Sequence, residues 1–264
     1  MSSDGTGNGG TSRLRIEAKN VSKVFRLGEL ASLGNTASYV SSRLRGRRPD
    51  WPRMEALSEI SFEVAAGECF AIIGTNGSGK STLAKTVAGI TLPTSGEILT
   101  RGRVLPLLMV GAGFAMDLTG RENVTLFGNL LGLSRRESLE AIPRIVEFAE
   151  IDEAHMGTPL KRFSPGEQAR LSFATALQLP ADVFLFDEVL NVADDEFKAK
   201  CIAEIRHLLN KGATVVFISH ELNLVRSVAT RGIWIDKSRL KLAAPIDELA
   251  SAYAASHPQA AYAS

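Results

Sequence analysis

The sequence predicts an α/β fold with a mostly parallel core sheet, an antiparallel β piece ahead of it and a helical insert within it. Three observations carry this. The apolar runs ECFAIIG (68–74), DVFLFD (182–187) and TVVFIS (214–219) are short and unbroken, as strands covered on both faces are. Helical periodicity follows the first run after Gly79 and precedes the third over 195–210, the alternation that builds a parallel sheet. The first run also opens into GTNGSGKST (74–82), a glycine-rich turn that enters a helix.

Taken in order, the chain starts with MSSDGTGNGGTS, which has neither a basic n-region nor an apolar h-region and reads as a disordered tail over 1–12. LRIEAKNVSKVF (14–25) and EISFEVAAG (59–67) alternate in part with period two and form the antiparallel piece. Between them, in 26–53, Leu30, Leu33, Ala37, Val40 and Leu44 recur at spacings of three and four, which predicts one amphipathic helix. Arg43, Arg45, Arg47, Arg48 and Arg53 cluster at its end. Two readings stay open for this segment: a surface helix with a solvated basic end, or a docking element for a membrane protein or anionic headgroups.

The core occupies about 13–110 and 181–245, with the insert at about 114–180. RENVTLFGNLLGL and SLEAIPRIVEFAEI are amphipathic helices of the insert, and a third helix opens in FSPGEQARL (163–171). There Ser164 is an N-cap, Pro165 takes the first helical position, and Glu167 can close a capping box. After about residue 245 only a short Ala-rich tail is expected; the domain closes near 250, leaving 251–264 outside it.

Composition narrows the function. A chain of 264 residues with 45% hydrophobic content can bury a sizeable core in one or two domains. Lys+Arg 30 against Asp+Glu 29 gives no reason to expect nucleic acid or a membrane surface as the main partner. Cys69 and Cys201 stand in no paired spacing, so no disulfide framework or zinc site is expected, and a reducing cytosol fits. The longest apolar stretch, VLPLLMVGAGFAM (104–116), falls short of the roughly 18 residues that a membrane-spanning helix needs.

GTNGSGKST fits the spacing Gly-x4-Gly-Lys-Ser between a strand and a helix. Its glycines let backbone N–H groups fold inward around phosphate oxygens, and the helix N-terminus adds its dipole. Gly74, Thr75, Asn76, Gly77, Ser78, Gly79, Lys80, Ser81 and Thr82 are therefore the candidate phosphate ligands. Lys80 would reach the outer phosphates and the Ser81 hydroxyl would ligate Mg²⁺. At the end of a core strand, Asp187 would hold the Mg²⁺ water shell and Glu188 would polarise an attacking water. His220 ends another core strand, where it could donate to a γ-phosphate or hold that water. His155, His207 and His257 are read as structural.

GTNGSGKST, FSPGEQARL, DVFLFDEVLNVAD and FISH, in this order and spacing, resemble the ABC-type ATPases from about residue 14 to 250. The resemblance implies a phosphate-loop ATPase fold using ATP and Mg²⁺. It also implies a head-to-tail homodimer in which Ser164, Pro165, Gly166 and Glu167 cap the nucleotide held by the other copy, and Asp194 crosses the interface. An aromatic ahead of the phosphate loop would stack on adenine; Phe25 and Trp51 are both candidates.

The chain departs from the family pattern at several places. Pro165 stands where glycine is usual and removes a backbone donor. Glu167 stands where glutamine is usual, and the capping box explains it better than phosphate contact does. Val189 replaces a common proline. No glutamine precedes the insert, where GAGFAMDLTGREN (111–123) lies instead.

Together with the basic segment before the phosphate loop, GAGFAMDLTGRENV and DEVLNVADDEF resemble the branch that exports capsular polysaccharide, O-antigen or teichoic acid, in its short form without a C-terminal carbohydrate-binding domain. That resemblance implies a peripheral subunit on the cytoplasmic face of the inner membrane, with a separate membrane-spanning permease, no substrate-binding domain in this chain and no nucleic-acid partner. Three rivals remain. A GTPase would need Asn-Lys-x-Asp, but the nearest string, NKGA (210–213), reads better as a helix ending at Gly212. A soluble ABC module acting on DNA or ribosomes would carry a coiled-coil insertion or a second core. An ABC subunit for a lipid or drug cargo is the third.

Overall fold

The computed structural model describes residues 14–26, 52–107, 114–187, 195–219 and 222–257. The predicted 1–12 tail and the apolar stripe of 26–53 lie outside them. In chain order the elements are β1 (Leu14–Arg26), β2 (Arg53–Ala65), β3 (Cys69–Ile73), α1 (Lys80–Val87), β4 (Ser95–Thr100) and β5 (Val104–Leu107). Then come α2 (Gly120–Leu130), α3 (Arg135–Ala149), α4 (Pro165–Gln178), β6 (Val183–Asp187), α5 (Asp195–Asn210) and β7 (Thr214–Ile218). The last are α6 (Leu222–Val228), β8 (Arg231–Asp236), β9 (Arg239–Pro245) and α7 (Ile246–Ser256).

Among the described residues the strands form two sheets. The antiparallel piece has the order β2-β1-β4, and the core sheet has the order β5-β6-β7-β3-β8-β9. Strands β5 to β8 pair in parallel; only β9 runs antiparallel, against β8. The three apolar runs become β3, β6 and β7, next to one another or one strand apart, and β3 and β7 are buried along their whole length. Along β3, Phe70 and Ile72 pack into the layer between the two sheets, while Cys69, Ala71 and Ile73 face the helices of the core and insert. That two-sided burial is why these runs show no polar alternation.

Strands β4, β5 and β8 were not apparent from the sequence. Most of β4 is exposed and gives no apolar signal. β5 carries Pro106, tolerated because it lies at the sheet edge. β8 carries Gly232, where a Cβ would collide with the Ala71 carbonyl of the neighbouring strand. The insert matches its pattern: α2, α3 and α4 pack on one another. The Ala-rich tail expected after 245 is corrected. Its first part is α7, which buries Leu249, Ala250 and Tyr253 and sets the Tyr253 ring edge-on to Trp234 at 5.2 Å. Alanine is a strong helix former, and one apolar face suffices to dock it.

Candidate active site

Parallel register assembles the site. Ile72 of β3 sits beside Ile218 of β7, which sits beside Asp187 of β6. The C-terminal ends of three adjacent strands therefore finish at one level, and the loop at 74–79 springs from β3, beside the middle strand β7. An open α/β sheet binds ligands at this edge.

Two glycines in the loop are required by space. A Cβ on Gly74 would strike the Ile235 carbonyl, and one on Gly79 would strike the Ala56 carbonyl. Gly79, at φ 109, is also the N-cap of α1, in a conformation that other residues avoid. No side chain caps this helix start, and no acid stands in its first turn. The Lys80 ammonium, 5% exposed, donates to the Gly74 carbonyl at 2.9 Å and the Thr75 carbonyl at 3.0 Å. The Ser78 hydroxyl is buried without a partner among the described residues.

The β8–β9 turn fastens the loop from outside. Ser238, left-handed at φ 67, donates its N–H to the Ser78 carbonyl at 3.1 Å and its hydroxyl to the Glu55 carbonyl at 2.8 Å. Ser81 is exposed at the helix start and Asp187 is half-buried at its strand end. An uncapped helix start, a buried orphan hydroxyl and glycines pressed against neighbouring carbonyls fit a polyphosphate. Glu188, Asp194, His220 and Trp51 lie outside the described residues. Phe25 is half-buried on β1 opposite Met54, with the Lys23 ammonium 5.1 Å from its ring centre.

The start of α4 is built differently. The Glu167 N–H donates to Ser164 Oγ at 3.2 Å, and the Ser164 N–H donates to Glu167 Oε2 at 2.7 Å. This is the capping box read from the sequence, with Pro165 in the first turn. The Ser164 N–H, then its hydroxyl, hold the Glu167 carboxyl below its ordinary range, and neighbouring His155 adds to this. Ser164, Pro165 and Gly166 are exposed, and a Cβ on Gly166 would meet nothing within 4 Å.

Sequence reasoning missed His155. Its ring stacks on Phe163 at 4.2 Å, and its Nδ1 lies 3.3 Å from Glu167 Oε1. A lone histidine twelve residues before Glu167 (155 to 167) carries no pattern that would reveal this. Asn123 was missed too. Fully buried, its amide donates to the carbonyls of Ala115, Leu118 and Thr119 at 3.0, 3.1 and 3.0 Å, and so fixes the described part of the stretch before the insert. Gln168 does similar work, donating to Leu160 and Phe163 carbonyls at 3.2 and 3.0 Å, and is structural.

Comparison with known proteins agrees with this geometry. Residues 57–191 match the family described as ABC transporter. The O-antigen export system ATP-binding protein RfbB of Klebsiella pneumoniae is 45% identical over 186 residues, which is 70% of this chain and 75% of that protein. The teichoic acids export ATP-binding protein TagH of Bacillus cereus (strain ZK / E33L) is 40% identical over 240 residues, 91% of this chain but 42% of that longer protein. Among solved structures, the ATP-binding cassette MJ0796, dimeric and bound to ADP and Pi, superposes with a TM-score of 0.69 at 22% identity. The match covers 88% of this chain and 98% of that one, and it shows a shared fold.

Proposed function

The chain belongs to the ABC transporter family as an ATPase subunit, and from that premise we propose that it powers export of a lipid-linked polysaccharide of the O-antigen, capsule or teichoic-acid type. The observation that carries the cargo class is the 45% identity to an O-antigen export ATP-binding protein over 70% of this chain. The energy source follows from the loop–helix junction and the Asp187 strand end, which the sheet register brings to one edge.

In this reading the amides of 74–82 cradle the phosphates, and Lys80 turns from the Gly74 and Thr75 carbonyls to the outer phosphates. Ser81, and Asp187 through water, would hold a Mg²⁺ that offsets phosphate charge. Glu188 takes a proton from the attacking water as its oxygen bonds to the γ-phosphorus. The bond to the bridging oxygen breaks, giving ADP and phosphate, while His220 donates to the γ-phosphate. Phe25 or Trp51 stacks on adenine.

Ser164 and Gly166 complete the pocket of a second copy. Ser164 Oγ accepts from the Glu167 N–H, and its O–H would turn from the Glu167 carboxylate to donate to that copy's γ-phosphate. Pro165 offers no N–H there, and Asp194 lies at the crossing between copies. ATP joins the two copies, and hydrolysis removes the shared contact and releases them.

A separate permease carries the cargo, and this subunit sits on the cytoplasmic face beside it. Among the described residues no helix is long and apolar enough to cross a membrane. Reconstituting the chain with its co-purified membrane subunit tests the cargo. A lipid-linked glycan should stimulate ATP turnover; stimulation by a drug or simple lipid, with none by the glycan, would contradict the proposal.

A further inference from the structure

The insert and the core meet at a built joint at the C-terminal end of α3. Glu150 is the C-cap of α3 and holds a left-handed conformation, φ 55 and ψ 44, unusual for a residue with a side chain. Its Oε1 accepts from Lys200 Nζ at 2.7 Å and its Oε2 accepts from Arg170 at 3.0 Å. Arg170 lies on α4, and Lys200 lies on α5.

Each of the three helices also contributes an aromatic ring beneath this cap. The Arg170 guanidinium sits 5.4 Å from the Phe197 ring centre, and the Lys200 ammonium sits 5.0 Å from that of Phe148. Phe148 and Phe173 both stand edge-on to Phe197, at 5.8 and 6.4 Å. Stacking on rings restricts where the two cations can point, and the carboxylate engages one with each oxygen. The Lys200 hydrogen bond is the main reason the Glu150 carboxyl is held below its ordinary range.

What these helices carry gives the joint meaning. α4 begins at Ser164, the half-site this chain lends to its partner; Arg170 follows six residues on. α5 begins immediately after 188–194, which contains Glu188, of the half-site this chain keeps, and Asp194, read as crossing to the other copy. The covalent path from Ser164 to Glu188 runs the length of α4 and then β6. The joint is a second connection, between the N-terminal halves of the two helices.

We propose that Glu150 is a positioning residue that makes the start of α4 and the start of α5 move as one body, so that occupancy of one pocket is felt at the other. This rests on the reading of the pocket as shared between two copies. Solvent-exposed ion pairs contribute little to stability, so the role should show in coupling between sites and not in melting.

Glu150→Gln keeps the size and removes the charge. For the full chain, ATP turnover should be measured against ATP concentration, alongside nucleotide affinity and melting temperature. The wild type should give a Hill coefficient above 1. In the variant it should fall to 1, the affinity gain of the second ATP over the first (about fivefold or more where two sites are coupled) should vanish, and kcat should drop, with ATP affinity of the unpaired chain and melting temperature unchanged. An unchanged kcat and Hill coefficient would overturn the proposal, as would a wild-type Hill coefficient of 1. A lowered melting temperature with equal loss in every parameter would show a merely structural role and also overturn it. Mixing Lys80→Ala with Ser164→Arg chains, both with Glu150 intact, separates the premises. If the mixture is inactive, the shared pocket fails; if it is active and Glu150→Gln behaves as wild type, only the joint fails.

Discussion

The helix starts at Lys80 and at Pro165 both point amides toward phosphate in the proposed mechanism, yet they are built in opposite ways. α1 begins after a left-handed glycine, with no side-chain cap and no acid in its first turn. α4 begins with a closed capping box. The rest of the insert is built like α4: Thr119 with Glu122 caps α2, and Ser134 with Glu137 caps α3. The two regions divide the work. The core leaves its helix start unsatisfied and lets the nucleotide satisfy it. The insert satisfies its helix starts with its own side chains, and in the proposed mechanism it presents the Ser164 hydroxyl and a bare glycine edge to a second copy.

The largest expected effects lie on the core side. Glu188→Gln should lower turnover by about 10²-fold or more while ATP binding persists, and ATP should then accumulate a dimer on size-exclusion chromatography. Lys80→Ala should weaken nucleotide binding itself, read by equilibrium titration; a variant that binds ATP as tightly as wild type would break the contrast between the two helix starts.

Glycine substitutions sharpen it next. Gly79→Ala faces both a left-handed φ and the Ala56 carbonyl and should destabilise the fold by about 1–3 kcal/mol. Gly166→Ala has open space and should leave the melting temperature unchanged or raise it slightly, as alanine exceeds glycine in helix propensity by about 1 kcal/mol. It should still cut ATP turnover if a partner's phosphate must approach that backbone. Ser164→Ala removes a cap and should cost about 1 kcal/mol by denaturant unfolding.

The smallest effect is in acid. Glu122, Glu137 and Glu167 are each held below the ordinary carboxylate range by their capping serine or threonine. Folded values below unfolded ones mean stabilisation that is present above the unfolded value, near pH 4.5, and lost as pH falls through the folded ones. Hydrogen-exchange protection in the insert, taken relative to the intrinsic exchange rate at each pH, should therefore fall below about pH 4.5. Replacing all three by Gln should flatten that response.

Much of this was legible in the chain. β3, β6 and β7 could be read because strands buried on both faces leave unbroken apolar runs. The phosphate loop could be read because its glycines answer a local steric demand, and the capping box at Ser164 because its partners lie three residues apart. What could not be read depends on distant partners. Ser238 matters only because a turn 160 residues later (78 to 238) meets the loop. His155 meets Glu167, and Glu150 meets Arg170 and Lys200, only after the helices pack. β8 was hidden by Gly232, whose bare backbone is required by Ala71 on the next strand.

The central claim is that each bound triphosphate is enclosed by residues from two molecules. Mixing Lys80→Ala with Ser164→Arg protein tests it most directly, with folding and pairing of both checked beforehand. Each alone should be nearly inactive; together they should recover part of the wild-type ATPase rate, because one complete pocket forms per mixed dimer. A mixture no more active than its two components would contradict it.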